Sequence, residues 1–421
     1  MSLQVSELNS FSVERLRSEF PILKRSMGPS NLVYLDNAAT LQRPRRVVDR
    51  EREFSLRSNA NVHRSAHRLS FEATELFEEA RKKLANSLGA TDSHELIFTK
   101  GATEAINCVA QTWGMDQLQE GQEVIISRAE HHANFVPWQQ LCRRKKLKLQ
   151  ILELDAEARI QPSALEGLLN SNTALVALTA LSNVTGAKTP LGELIPIIRA
   201  KTSAKILIDA CQALLYETEF LKNYPVDFLV GSGHKMGAPT GIGFLWGKRE
   251  LLEAMPPYQL GGEMISVVYD SDSRWSGIPY KFEAGTPPIS QAIAWGECLR
   301  FWEEQNRDWL DAHLKALTER ALKKLEEVSE LRILGPLSAK DRHPTFSFSV
   351  EGVHPHDLVT FLDSKGIAIR GGHHCAQPLH RQMGFGSSAR ASLTYYNQEE
   401  EVDLFVEALK ESILFFRRLS P

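Results

Sequence analysis

The chain has 421 residues, 43% of them hydrophobic and 24% charged, and its 49 Lys+Arg against 52 Asp+Glu leave a net charge of −3. That is the balance of a soluble globular protein too long for one ordinary core, with no electrostatic basis for binding nucleic acid or an anionic membrane. Cys108, Cys142, Cys211, Cys298 and Cys375 are scattered and form no CxxC pair, which argues against a disulfide framework or structural zinc and for a reducing cytoplasm. The N-terminal stretch lacks the apolar core of a signal peptide, and no run approaches the roughly 18 apolar residues of a membrane span.

From about residue 95 to 247 short apolar runs alternate with helical patterns. "ELIFT" (95–99), "EVIIS" (123–127), "KLQILEL" (148–154), "ALVALTAL" (174–181), "KILIDA" (205–210), "VDFLVGS" (226–232) and "GIGFLWG" (241–247) read as strands. Helices between them predict a mainly parallel sheet covered on both faces, with ligands at the carboxyl ends of its strands. The basic run "RRKKLK" (143–148) reads as a solvated helix end. A long helical stretch follows over 290–330. Then come strands at "TFSFSV" (345–350), "IAIR" (367–370) and "RASLTYY" (390–396), and a final helix whose Val402, Phe405, Val406, Leu409, Ile413 and Phe416 share one face. The expected division is an N-terminal segment over 1–33 packing on the small domain, a large domain over 34–290, and a smaller α+β domain over 291–421.

In "VGSGHKMGAPTGIGFLWG" (230–247) a lysine follows the end of an apolar strand, beside a serine, a histidine and glycines. Desolvation there lowers a lysine pKa and favours Schiff-base chemistry, and Ser232 and His234 can bind phosphate. A surface lysine at a strand end is the alternative. Asp209 in "LIDACQA" can face a pyridinium nitrogen, or simply cap the next helix. "TKGATEAIN" sets Gly101, Ala102 and Thr103 at a helix start, where amides cradle phosphate. His131 and His132 open the next junction, where an imidazole can stack on a planar ring. No HExxH carboxylate follows to support a metal site, and no metal is expected. Cys375 in "RGGHHCAQP" stays open between nucleophile, metal ligand and buried thiol.

Taken together, Lys235 in "SGHK", Asp209 with Gln212, "GATEAIN", "AEHHAN", "LSNVTG" (181–186) and "FEAGTP" (282–287) resemble the class V aminotransferase group of pyridoxal-phosphate enzymes. With "RGGHHCAQP" and "RASLTYYN", the resemblance narrows to group II cysteine desulfurases of the SUF and CSD type, a group that includes selenocysteine-lyase activity. It runs from "YLDNAAT" (34–40) to the last helix. It implies a fold-type I α/β architecture with a mainly parallel seven-stranded sheet, a homodimer, and pyridoxal 5′-phosphate as cofactor. Lys235 would carry the cofactor and move the substrate Cα proton. Asp209 would pair with the ring nitrogen, His131 stack on the ring, and Gln212 and Asn183 contact its phenolic oxygen. Ala102, Thr103, Ser232 and His234 would hold the phosphate, with Thr286 reaching it from a second subunit. Arg390 would grip the substrate carboxylate, with His63, Arg64, Arg370 and Asn183 near the substrate. Cys375 would accept sulfur from L-cysteine as a persulfide, for an acceptor protein of the SUF or CSD type serving, for example, iron–sulfur cluster assembly. Arg370, His373 and His374 are available to favour its thiolate. Selenocysteine lyase or epimerase chemistry without Cys375 is the alternative, and a non-catalytic scaffold is a third reading. Departures are "MGAPTG" (236–241) where relatives usually carry "LYGPTG", the unusual "SRWSGIPYK" loop, and Cys211 where a small Gly is common.

Overall fold

The computed structural model describes residues 12–28 and 30–419, so the first eleven residues of the expected N-terminal segment lie outside it. Seven strands form the central sheet: β1 (Leu96–Thr99), β2 (Glu123–Ser127), β3 (Lys148–Leu152), β4 (Thr173–Thr179), β5 (Lys205–Asp209), β6 (Phe228–Ser232) and β7 (Gly243–Gly247). Their order across the sheet is β1-β7-β6-β5-β4-β2-β3. Neighbours pair in parallel from β6 through β3, as the helix-separated apolar runs require. β7 is antiparallel to both β1 and β6. The connection from β6 holds only the one-turn 3-10 helix Gly233–Lys235, too short to carry the chain back for a parallel pairing.

Side chains alternate between the two faces. Ile206, Ile208 and Leu229 pack into one core, and Leu207, Phe228 and Val230 into the other. The first core is closed by helices α1 (Arg45–Arg57), α2 (Arg68–Ser87) and α6 (Ile289–Glu303), which pack together. The second lies under α3 (Ala102–Val109) and α4 (Val136–Lys145). Helix α5 (Leu191–Lys201) adds Leu191, Leu194, Ile195 and Ile198 to the first core.

The C-terminal part is a four-stranded sheet, β8 (Leu331–Leu334), β9 (Thr345–Val350), β10 (Arg370–Gly372) and β11 (Ser388–Ser392), in the order β8-β9-β11-β10. Its core joins Leu317 and Leu325 of α7 (Arg307–Glu326), Leu358 and Leu362 of α8 (Pro355–Ser364), and Phe405 and Leu409 of α10 (Glu399–Leu419). The expected single strand at 367–370 is divided. Ile367–Ala368 pairs in parallel with Val33–Tyr34, whereas Arg370 begins β10 against β11. The strand expected over 390–396 ends at Ser392, and the backbone turns just beyond it: Asn397 N–H donates to Thr394 O. Phe20 of the N-terminal segment packs edge-on to Phe301 and against Tyr396, and Arg17 pairs with Glu401. Among the described residues, no helix is long and apolar enough to cross a membrane.

Candidate active site

The carboxyl ends of β2, β4, β5 and β6 and the start of α3 converge on one edge of the central sheet. Lys235 lies three residues past β6. Its Nζ donates to the carbonyls of Ala38 (2.7 Å) and Ala39 (2.6 Å). Burial removes solvent from the ammonium and lowers its pKa to about 8, with Arg390 and Arg370 adding to the fall. Gln212 Nε2 donates to the same Ala38 carbonyl at 2.9 Å, so Lys235 and Gln212 share one anchor.

Asp209 closes β5 and is 5% exposed. Its Oδ1 accepts the Cys211 N–H at 3.0 Å. The Cys211 thiol lies beside the Asp209 carboxyl and the Ser232 hydroxyl, and burial pushes its pKa well up. His131 caps the short turn after β2, its Nδ1 accepting the Ala133 N–H at 3.1 Å. Burial lowers its pKa, opposed by Asp209. Behind it Glu130 is fully buried. Ser127 Oγ and Asn134 Nδ2 each donate to it at 2.6 Å, and burial raises its pKa to about 8.

At the start of α3, the Ala102 N–H donates to Ser232 Oγ at 2.9 Å. Gly101, Ala102, Thr103, Ser232, His234 and Thr240 line a cavity of about 510 Å³ there. Burial lowers the His234 pKa to about 4, with the neighbouring Lys235 and Arg43 charges working the same way. A Cβ at Gly243 would stand 2.4 Å from Gly101 Cα, so β7 can lie against this turn only with glycine at that position. Met236, at the start of the departing "MGA", is buried. Trp295 Nε1 points to its sulfur at 3.2 Å, and Trp302 Nε1 donates to its carbonyl at 2.7 Å, so the thioether packs the lysine turn onto α6.

Arg390 on β11 is 1% exposed. Its two Nη atoms donate to Asn183 O (2.8 Å) and Asp36 Oδ1 (2.9 Å), while its Nε has no partner. Burial lowers its pKa, with Arg370 contributing to the same effect. Arg370 lies directly opposite in strand register and is exposed, so two guanidiniums on neighbouring strands give this wall positive potential.

Cys375 sits on a turn laid over the β2 and β4 ends. Its carbonyl accepts the His132 N–H at 2.7 Å, and Asn183 Nδ2 donates to the His374 carbonyl at 2.8 Å. His374 itself is buried. Its Nε2 meets Ser388 Oγ at 3.1 Å, its Nδ1 has no partner, and burial beside Arg390 drives its pKa to about 2. A neutral His374 supplies no positive charge, although the sequence offered it for that purpose beside Arg370 and His373.

His63 and Arg64 are held elsewhere in this chain. His63 Nε2 meets Glu78 at 2.8 Å, its Nδ1 stands 3.7 Å from Glu263, and Arg64 pairs with the same Glu263. Thr286 is exposed, on a loop whose Gly285 N–H donates to Gly262 O at 2.9 Å. The hairpin of Ile265–Val268 and Ser273–Trp275 beside it leaves Val267, Val268, Tyr269 and Trp275 exposed. Sequence reasoning missed the Ala38 and Ala39 carbonyls and Asp36. "YLDNAAT" marked their place, but main-chain acceptors leave no side-chain signal.

The donor set suits a flat cofactor carrying a phosphate. It offers amides and hydroxyls round one cavity, a buried carboxylate, an imidazole, and a lysine with carbonyl partners only. No group of three or more metal-ligating side chains occurs among the described residues.

Residues 33–405 match the family model described as aminotransferase class-V. A probable cysteine desulfurase of Synechocystis sp. is 43% identical over 402 residues, covering 95% of this chain and 96% of that protein. A cysteine desulfurase of Escherichia coli O157:H7 is 40% identical, over 95% of this chain and 98% of its own. The crystal structure of the cysteine desulfurase CsdA (S-sulfonic acid) from Escherichia coli aligns with a TM-score of 0.88 at 34% identity, over 96% of this chain and 99% of that one.

Proposed function

The chain belongs to the aminotransferase class-V family and is a pyridoxal-phosphate-dependent cysteine desulfurase; from that premise we propose that it converts L-cysteine to L-alanine and takes the sulfur as a persulfide on Cys375. The observation that carries the assignment of Cys375 is its turn, pinned through His132 and Asn183 to the segments that follow β2 and β4, in the same sheet whose β5 ends in Asp209 and whose β6 leads to Lys235.

Pyridoxal phosphate, when bound, supplies an electron sink for the carbanion at the substrate Cα. The Lys235 amine, with a pKa near 8, is the covalent anchor and afterwards the base that moves the Cα proton. Asp209 would keep the ring nitrogen protonated, His131 would pack on the ring, and Gln212 and Asn183 would contact its oxygen. Ala102, Thr103, Ser232 and His234 would hold the phosphate. Arg390 has its unpartnered Nε to offer a substrate carboxylate, and Arg370 adds attraction. The Cys375 thiolate attacks the substrate sulfur. An S–S bond forms, the Cβ–Sγ bond breaks with its electron pair going to carbon, and a proton there completes alanine. A thiol of an acceptor protein then takes the outer sulfur, and iron–sulfur cluster assembly is the use we assign to it.

We place this reaction in a cytoplasmic homodimer, with residues 34–290 as its large domain and 291–421 as its small one. Support comes from the unpaired cysteines, and from the exposed apolar hairpin next to Thr286, which a second subunit would cover. The test is to incubate purified holoenzyme with L-cysteine and measure alanine, sulfide and the mass of each cysteine peptide. One extra sulfur on the Cys375 peptide is expected. Alanine release with that peptide never modified would sink the assignment of Cys375.

A further inference from the structure

The Cys375 turn is held in a backbone conformation it does not favour. His374 and Cys375 have φ of 50° and 57°, in the left-handed region where a side chain crowds its own carbonyl. Three hydrogen bonds from outside the turn oppose that strain. Two are insensitive to protons: His132 N–H to Cys375 O at 2.7 Å and Asn183 Nδ2 to His374 O at 2.8 Å. The third is different in kind. The Gln377 N–H, first amide of the short helix α9 (Gln377–Gln382), donates to His132 Nε2 at 3.1 Å. That ring nitrogen accepts only when the imidazole is neutral with its proton on Nδ1; a protonated ring presents N–H groups on both sides.

We propose that His132 is a positioning residue for sulfur transfer: its neutral ring clamps the Cys375 turn over the pocket, and protonation of that ring releases the turn. The proposal rests on the reading of Cys375 as sulfur acceptor. His131 carries the contact to the cofactor, so His132 acts through the turn alone. The titratable and charged groups that face His132 are His131 on its own turn, 6.3 Å between ring centres, and His373 and Arg381 on the docked segment. Burial lowers the His132 pKa below the ordinary histidine value, and His373 and Arg381 work in the same direction. The sign follows. The clamp is complete above the ordinary range near pH ~6.5 and is lost as pH falls through the lowered value.

The experiment follows alkylation of Cys375 in the holoenzyme by iodoacetamide, read by peptide mass spectrometry, for wild type, His132→Ala and His132→Gln. Rates are taken as variant-to-wild-type ratios at each pH, which cancels the thiolate fraction common to all three. Near pH ~8 the Ala variant should label roughly fivefold faster, the factor that one lost neutral hydrogen bond carries. As pH falls through the lowered His132 value that ratio should fall toward one, because the wild type then loses its own clamp. The Gln variant, whose amide oxygen accepts without titrating, should match wild type near pH ~8 and label more slowly than wild type once pH has passed below that value. Equal rates for Ala and wild type near pH ~8, or a Gln variant whose ratio stays constant with pH, would overturn the proposal. Cys108, Cys142 and Cys298 are buried and report unfolding. If they label in the Ala variant, the decision passes to the Gln variant's two ratios. A persulfide found on another cysteine after L-cysteine treatment sinks the acceptor reading and leaves these ratios standing.

Discussion

Lys235 and the Cys375 turn are both tied to segments of the central sheet, and they are held there by different means. Lys235 follows a strand whose neighbours on both sides are fixed in register, and its amine rests on main-chain carbonyls. Cys375 sits on two consecutive left-handed residues, half-exposed, in a turn pinned by contacts to another sheet. A group that must hold a ring in one plane gains from rigidity. A group that must collect sulfur and pass it on gains from a support that side chains can undo. The difference teaches that anchoring and transfer are separable here, and four substitutions test how cleanly.

The largest effect is expected from Lys235→Ala. Turnover should fall by at least roughly three orders of magnitude, the scale of removing a covalent catalytic group, and borohydride should no longer fix the cofactor to the chain. In wild type, borohydride fixation should fall on the peptide containing Lys235; fixation on Lys248 would break the comparison at its first term. Cys375→Ala comes next. The absorbance of bound cofactor should match wild type, while sulfur release from L-cysteine drops by on the order of a hundredfold, because any replacement thiol must come from solution. Selenium leaves carbon more readily, so selenocysteine cleavage should survive better. Sulfide release at the wild-type rate would mean that the turn carries no chemistry.

Arg390→Lys tests the one residue that crosses the divide, since it stands on the acceptor's sheet and points to the anchor's pocket. A single ammonium cannot keep the Asn183 and Asp36 contacts and also offer the planar Nε–H to a carboxylate, so KM for L-cysteine should rise roughly ten- to a hundredfold with little change in cofactor absorbance. An unchanged KM would remove Arg390 from substrate binding. Thr286→Ala should be mildest, loosening the cofactor by about a factor of five, as loss of one neutral hydrogen bond does. Sedimentation should show a dimer, and a monomer keeping full activity at high dilution would rule out the shared site.

Much of the pocket was legible because regular elements carry it. Runs such as "KILIDA" and "EVIIS" can only be buried strands, and a polar residue at the end of such a strand has one edge of the sheet to occupy. The antiparallel β7 was not legible, since its apolar run reads the same in either direction. The division of "IAIR" was hidden because nothing in four residues tells which of two neighbours each half will pair with. His63 was expected beside the substrate. In the single chain its ring goes to Glu78 and Glu263, a carboxylate pair assembled from residues far apart in sequence. The loss of charge on His374 was invisible for a similar reason, since burial is a tertiary property that "RGGHHC" does not encode.

The pairing of Asp36 with Arg390 also sets a timetable for biosynthesis. Asn37 donates to Ser392 O across 355 residues of sequence, and Val33–Tyr34 pairs with Ile367–Ala368. At a ribosomal pace of roughly 5–20 residues per second, the early half of the pocket waits on the order of 20–70 s for the late half to emerge. Until then the lysine turn has its sheet but lacks its opposite wall, and closing so long a loop is entropically slow. A nascent chain truncated before residue 390 would therefore present an open lysine cleft, and productive capture of pyridoxal phosphate becomes a post-translational event.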